Sequence, residues 1–276
     1  MYKTVEASLI VRLRGTDQQT DTGLLHLNGA ISGRPSDPTR RIQGYELVYS
    51  KLHNRSGATT VMGVGVRIPN WLWQAGQYTT GDTTYTDDTT DAQDAGASDF
   101  ALETTTNNDG CVIMADVPFN AISINVGTAS VDAVAVAREL NYSTAGAFTT
   151  TNLANQFIQD GLATNYATGE NLLVFAAPPA WQKTTGAEAT DIPAGKYAVR
   201  IRATDAPVTT AGLATAIEIF RLYGVQEAIT DNSVVEFAPG YPFSMPYGDA
   251  LVALVGSISA VHSTVTVSFR PGGAMA

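Results

Sequence analysis

The sequence predicts an all-β protein: a β sandwich or jelly-roll-like stack of antiparallel sheets with an extended N-terminal arm. Three observations predict it. Apolar residues recur at period two in short runs, and Gly, Pro, Asn and Asp punctuate those runs at close intervals. Threonine, which suits a half-buried pleated surface better than a helix, crowds the chain in clusters such as Thr83-Thr84 and Thr104-Thr105-Thr106. Strong helix caps followed by long helical-period runs are absent from the sequence. The 276 residues, 44% of them hydrophobic, are enough for a real core in one or two domains.

Taken in chain order, Ala7 to Leu13 and Gly44 to Tyr49 read as strands, with Gly33-Arg34-Pro35-Ser36-Asp37-Pro38 between them as loop or arm. Met62, Val64, Val66 and Ile68 alternate with smaller residues, and Pro69-Asn70 stops that strand. Residues 76–110 are low in complexity, with six Asp from Asp82 to Asp99 and no Lys or Arg, and read as one long solvated loop. Strands follow at Cys111 to Ala115, Ala121 to Val126 and Val131 to Tyr142. In the last, Val134, Val136, Arg138, Leu140 and Tyr142 share a face on which Arg138 is the misfit. A helix from Val131 to Leu140 is the alternative there, because short apolar runs are ambiguous by period.

Asn171 to Ala176 is another strand, closed by Pro178-Pro179. In Lys196 to Ala203 the alternation turns Tyr197, Val199 and Ile201 inward, and Lys196, Ala198, Arg200 and Arg202 outward. Ala216 to Tyr223 follows, and Ala250 to Val255 with Val261 to Phe269 read as a hairpin pair. The total is about ten short strands, the density expected of a sandwich. The expected organisation is an N-terminal arm with the first strands over 1–60, then a sandwich domain over 61–276 carrying the Thr/Asp-rich loop at 76–110.

Charge narrows the function. Charged residues make up only 15% of the chain, below the roughly 25% usual in soluble domains. A net charge of −10 and a pI near 4.6 argue against nucleic acid as a partner, since phosphate affinity needs clustered Lys and Arg. The charge is uneven: residues 1–70 hold nine basic and five acidic side chains, a net of +4, which leaves −14 for the remainder. Such asymmetry suggests one end facing an acidic partner, against the plain alternative of chance clustering. Arg34, Arg40 and Arg41 are the basic candidates in that segment. One cysteine excludes an internal disulfide framework and a multi-cysteine zinc site. The N-terminal residues lack the pattern of a signal peptide, and no apolar run approaches the ~18 residues of a spanning helix, so a soluble protein made in a reducing compartment is expected, with no membrane partner.

Motifs for chemistry are sparse. His26, His53 and His262 lie at no metal-ligand spacing, and neither a Gly-x-Ser-x-Gly elbow nor a phosphate-cradling Gly-rich loop is present. Cys111 opens an apolar strand and reads as a buried inert thiol. Asp87, Asp88, Asp91 and Asp94 could gather oxygens for Ca²⁺, but their spacing is not that of a calcium loop, and a solvated turn is the default. No catalytic residue and no cofactor is expected, and the chain reads as a non-enzyme. Trp71 and Trp73, which would share one strand face, and Tyr78 nearby are either core, a subunit contact or a sugar-stacking surface.

One pattern extends over roughly half the chain. It runs from Tyr78-Thr79-Thr80 through Thr84 to Thr89 and Asp99-Phe100-Ala101-Leu102, then Asn108-Asp109-Gly110 and Pro118-Phe119-Asn120. Leu140-Asn141-Tyr142-Ser143 with Gly146-Ala147-Phe148 resembles a "Tyr-Trp-x-Gly-x-x-Trp" turn, with Phe148 where Trp is usual. Pro178-Pro179-Ala180-Trp181 leading through Gly186 to Tyr197-Ala198-Val199-Arg200-Ile201-Arg202-Ala203-Thr204 and then Ala206 to Thr210 resembles a "Pro-x-x-Trp … Tyr-x-Ile-Arg-x-Arg" β segment. These patterns resemble those of virion structural proteins of tailed bacteriophages, which include capsid decoration (cement) proteins and tail or baseplate components. The pattern does not separate head from tail and carries no catalytic residues. By its position after two prolines, Trp181 would cap one end of the sandwich. Arg200 and Arg202 would pair with acids on a neighbouring subunit or on the next strand.

The resemblance implies a structural virion protein, foremost a cement protein stabilising the head shell. Tail or baseplate component is the alternative, then a carbohydrate-binding receptor module using Trp71, Trp73 and Tyr78. The implied partners are the major capsid protein or other virion subunits. Homo-oligomers are the usual outcome, and a trimer suits a three-fold site. The implied location is the virion, assembled in the host cytoplasm.

Overall fold

The computed structural model describes residues 7–13, 45–54, 60–80, 83–97, 99–106, 108–132, 138–150, 157–160, 166, 168–204, 208–229, 233–237, 243–244, 250–255 and 263–271. The protein is nearly all β, with antiparallel sheets consistent with a sandwich, as the period-two pattern predicts. Among the described residues, no helix is long and apolar enough to cross a membrane. The chain falls into two compact units, Met1–Pro69 with Phe220–Ala276, and Asn70–Ile219. This differs from the expected division at residue 60. Strand pairing is non-local, so sequence order alone does not reveal that the two ends of the chain share a unit.

In the first unit, β1 (Ala7–Leu13), β2 (Tyr45–His53) and β3 (Thr60–Arg67) come from the N-terminal third of the chain. The first two make a sheet with C-terminal strands. Its order is β1-β20-β2-β17, where β17 is Val234–Phe237 and β20 is Ser263–Pro271, and β18 (Phe243–Ser244) also pairs with β2. β3 lies between β19 (Ala250–Val255) and the second half of β16 (Leu213–Ile229). The hairpin expected between 250–255 and 261–269 therefore does not form: β19 pairs with β3, while β20 pairs with β1 and β2. Both runs are competent strands, and partner choice depends on which edges the fold presents. The expected extended arm, with Arg34, Arg40 and Arg41, lies outside the described residues.

The second unit holds a six-stranded sheet of order β11-β10-β14-β7-β4-β5. Its members are β4 (Trp73–Thr79), β5 (Thr84–Asp87), β7 (Gly110–Ala115), β10 (Arg138–Thr144), β11 (Ala147–Phe148) and β14 (Tyr197–Ala203). A second ladder runs β12 (Phe157–Asp160), β13 (Gly169–Phe175), β8 (Ala121–Thr128) and then the first half of β16, on which β6 (Phe100–Ala101) also pairs. β9 (Val131–Asp132) pairs with β15 (Val208–Thr210). Residues 133–137 lie outside the described set, so the stretch read as one strand or one helix is seen as β9 and β10 on either side of them.

The stretch 76–110 is not a single loop. It folds as β4, β5, a short helix α1 (Thr89–Gln93) and β6 before β7 begins. Threonine there does what its β-branched side chain favours. Thr84 to Asp87 pairs along β4, with Tyr85 opposite Tyr78. Asp87 then accepts hydrogen bonds from the Thr89 backbone N–H at 3.1 Å and the Thr89 hydroxyl at 2.5 Å, a local turn device at the start of α1.

At the centre of the six-stranded sheet both faces are covered. All six residues of β7 are buried, and in β14 Ala198 and Arg200 are buried as well as Val199 and Ile201. This corrects the expectation that Ala198 and Arg200 face solvent. The segment that follows Trp181 lies over that face: Ala189 and Ile192 pack with Tyr78, Tyr85, Val112, Met114 and Ala198. The Glu188 carboxylate holds the segment in place. It accepts from the backbone N–H groups of Thr185 and Gly186, and from that of Gly146 in the β10–β11 turn, each at 3.0 Å. Trp181 itself packs edge to face against Phe119, Phe175 and Tyr197, at the end of the unit where β13 stops and β14 starts.

Close approach fixes at least one glycine. A Cβ on Gly76 in β4 would lie 2.1 Å from the Thr86 carbonyl oxygen and 2.6 Å from the Tyr85 ring. Gly76→Ala is expected to destabilise the protein by about 1–3 kcal/mol through overpacking, read as a lower denaturation midpoint with unchanged slope. An unaltered midpoint would contradict this packing.

Candidate functional site

The most highly organised polar site lies at the end of the second unit opposite Trp181. It is built around Arg138, the residue that looked misplaced on an apolar strand face. Arg138 is the first residue of β10 and sits opposite Ala203, the last of β14. Its guanidinium uses both forks. Nε and one terminal nitrogen hold the Glu103 carboxylate at 3.0 and 2.9 Å, and the two terminal nitrogens hold Asp132 at 3.2 and 2.9 Å. The Ser130 hydroxyl accepts a further bond at 3.0 Å, and the Tyr166 ring lies 4.8 Å from the guanidinium carbon.

The chain brings these groups together from four places. Glu103 follows β6, held by the Leu102 N–H donating to the Gly212 carbonyl at 2.9 Å. Asp132 ends β9, and the Ser130 hydroxyl also accepts from the Tyr166 backbone N–H at 3.1 Å. Gly212 must be small, since a Cβ there would meet the Tyr166 ring at 2.8 Å. The side chains of Arg138, Glu103 and Asp132 are 1%, 1% and 5% exposed. Burial pulls the Arg138 guanidinium down, but its hydrogen bonds to Glu103 and Asp132 outweigh that and hold it above its ordinary value. Burial pushes the Glu103 carboxyl up, against the pull of Arg138. A buried bidentate pair of this kind fixes geometry, and leaving one partner alone is costly.

Among the residues singled out from sequence, the structure separates Trp71 from Trp73. Trp71 lies in a single 3-10 turn, Asn70–Leu72, and is 57% exposed, whereas Trp73 opens β4 and is 1% exposed. They do not share a face, because the turn rotates successive side chains by a third of a circle rather than half. Tyr78 is buried too, so of the three aromatic candidates only Trp71 can meet a partner. Its turn is firm, since the Gln93 amide donates to the carbonyls of Asn70 and Trp73 at 2.8 and 3.1 Å.

Arg200 and Arg202 make local contacts. The Arg200 guanidinium is sandwiched between the rings of Tyr78 and Phe148, at 4.7 and 4.9 Å, and donates to the Asn141 amide oxygen at 3.0 Å. Burial, with Arg202 nearby, brings Arg200 down to about 10. Arg202 pairs at 3.2 Å with Glu139, its direct cross-strand neighbour. The cross-strand acid pairing describes Arg202, whereas Arg200 meets an amide and two rings, and neither is a free surface cation. Arg34, Arg40 and Arg41 lie outside the described residues, as do His26 and His262.

Cys111 is buried, and burial, with Glu103 nearby, pushes its thiol well above the ordinary range, as expected of an inert side chain. In the Asp-rich stretch, Asp94 accepts from the Gly96 N–H at 2.8 Å, and Asp87 is engaged with Thr89. Asp88 is raised, first by burial and then by its hydrogen bond with Asp91. Among the described residues no group of three or more His, Cys, Asp or Glu side chains is placed to hold a metal ion.

Sequence reasoning missed the Glu103–Arg138–Asp132 cluster. The signal was a lone arginine among valines and leucine, but nothing in the spacing of Glu103 and Asp132 marks them as its partners. No protein-family model matches the chain, and neither do curated proteins or solved structures.

Arg138→Met leaves two carboxylates buried without their cation and is expected to lower stability by about 3–5 kcal/mol in urea unfolding. Removing all three charges together, with Glu103→Leu and Asp132→Leu added, is expected to cost less than the single change. The opposite order would mean that the cluster itself supplies net stability. Lys196→Ala removes the more exposed pair with Asp116 and is expected to cost less than about 1 kcal/mol.

Proposed function

We propose that this chain is a structural virion protein of a tailed bacteriophage, foremost a capsid decoration protein that stabilises the head shell through subunit contacts. The observation that carries the reading is the resemblance of the block from Pro178 to Thr204 to virion β segments. The all-β architecture supports it, because sheet proteins of low charge pack closely against neighbours without a large desolvation cost. The +4 segment at residues 1–70 supports it from another side, since a basic stretch is suited to an acidic lattice. The partners are the major capsid protein or other virion subunits, with a homo-oligomer, a trimer on a three-fold site, as the assembled form. The chain acts without catalysis or cofactor.

The second reading is a tail or baseplate component, which shares the same β pattern. A carbohydrate-binding receptor module is less well supported than the sequence suggested, because two of its three aromatic residues, Trp73 and Tyr78, are buried.

The deciding experiment is incubation of the purified protein with preformed capsid shells. Binding is expected, with a rise in shell resistance to heat. Deleting residues 1–40 is expected to abolish that binding, and unchanged occupancy would remove the basic arm from the reading. Labelled protein found by electron microscopy on tails alone would move the assignment to the second reading. Trp71→Ala is expected to leave folding unchanged within about 0.5 kcal/mol, as for an exposed side chain, and to weaken subunit binding if the turn is a contact. Loss of binding to cell-surface glycan in that variant would instead favour a receptor module.

A further inference from the structure

We propose that the end of the second unit bearing Trp71 and residues 176–181 is the surface through which copies of this chain associate, with the Trp71 turn of one copy stacked on Pro179 of the next. The inference deepens the homo-oligomer part of the virion reading and rests on that part alone.

The strand pairings bring the two features to one place. Trp73, Ala115 and Tyr197 are direct neighbours across β4, β7 and β14. The Trp71 turn therefore lies two strand spacings, about 10 Å, from the start of β14, where Trp181 packs on Tyr197. Residues 176–180 lead from the end of β13 to Trp181, and Ala176, Ala177, Pro179 and Ala180 among them are exposed. One exposed apolar side chain is ordinary on a protein surface. Here a Trp that is 57% exposed and four exposed Ala and Pro residues, with half-buried Trp181 and Tyr197, share one end of the unit. An apolar area gathered in this way marks a contact surface. Both halves are already fixed: Gln93 holds the Trp71 turn, and Trp181 donates its backbone N–H to the Pro178 carbonyl at 3.1 Å and its indole N–H to Ala198. Binding there costs little ordering.

Charge and shape select a second copy as the occupant. The charged side chains that these pairings place at this end are Asp94, next to Gln93, Asp116 and Lys196, paired at 2.8 Å, and Lys183, over the Tyr197 ring. Two acids and two bases balance, on a chain whose net charge is −10. That net charge makes whole copies repel, and a balanced end is where they approach at least cost. A strongly basic or acidic partner finds no net field to attract it here. The same end also carries both halves of an aromatic–proline contact, an exposed indole and an exposed proline. Trp71 of one copy on Pro179 of the next, repeated around an axis, closes a symmetric assembly.

The test measures the mass of the full chain by light scattering after gel filtration, from about 1 to about 100 µM. The wild type is expected to assemble within that range. Trp71→Ala and Ala180→Glu are each expected to raise the dissociation constant by about 30-fold or more, as for the anchor of a contact and for a charge placed inside it. Val131→Thr, an exposed change beside Asp132 at the other end, is expected to leave the assembly intact. Added salt is expected to strengthen association, because it screens the repulsion between like-charged copies. Weakening by salt points instead to the basic residues 1–70 meeting acids, and overturns the proposal. Circular dichroism checks that each variant is folded, and if Trp71→Ala is not, Ala180→Glu decides alone. A monomeric wild type, an assembly that either folded variant leaves untouched, or equal loss in Val131→Thr also overturns it. Shell binding by a monomeric wild type leaves the virion reading standing.

Discussion

One guanidinium, that of Arg138, ties together parts of the second unit that are distant in sequence. It joins β10 to Glu103 just beyond β6, to β9 and to the chain at Ser130, while Tyr166 lies over it. Planar, always charged and rich in donors, arginine is the side chain that can satisfy two carboxylates at once. Lysine at this position would offer a point charge and no second fork. Buried ion pairs commonly contribute little over an apolar replacement of the same volume, whereas a placement of β9 or of Glu103 that loses Arg138 leaves a buried charge without this partner.

The opposite end of the same unit is closed in a different way. β14 spans about 20 Å from Tyr197 to Ala203, given the rise of an extended strand. At its start Trp181 packs edge to face on Phe119, Phe175 and Tyr197 and donates its indole N–H to the Ala198 carbonyl at 3.1 Å. At its finish lies the Arg138 cluster. One end is shut by aromatic packing and the other by ion pairing, and β7, beside β14, is buried on both faces. Glu188 extends this logic to the covering segment: a carboxylate surrounded by backbone N–H groups converts an irregular stretch into a fixed layer over Tyr78 and Tyr85.

That second layer explains where the reading of individual residues changed. Arg200 alternates with Val199 and Ile201, and alternation alone sends it to solvent. Its true surroundings are two aromatic rings and an amide, because Tyr78 of β4 and Phe148 of β11 close over it and Asn141 lies beside it on β10. Trp71 and Trp73 show the converse. Two residues apart, they would be twins on a strand, but a single 3-10 turn leaves one in solvent and sends the other into the core. The same separation leaves Trp71 as the exposed one of the three aromatic candidates, with Trp73 and Tyr78 in the core.

By itself, the sequence determined the fold class, most strand positions and the burial of Cys111. Ala7 to Leu13 matches β1 residue for residue, and Cys111 to Ala115 and Ala121 to Val126 fall within β7 and β8. Those properties are local: alternation, β-branching and turn residues act over a few positions along the chain. It also fixed the unequal division of charge between residues 1–70 and the rest. Only the tertiary structure decided that the two ends of the chain share a unit, that the Thr/Asp-rich stretch forms paired strands, and that Arg138, Glu103 and Asp132 meet. These depend on which edges and side chains come together across dozens of residues. The free energy that selects them belongs to burial and pairing in three dimensions, of which a one-dimensional pattern carries only the period.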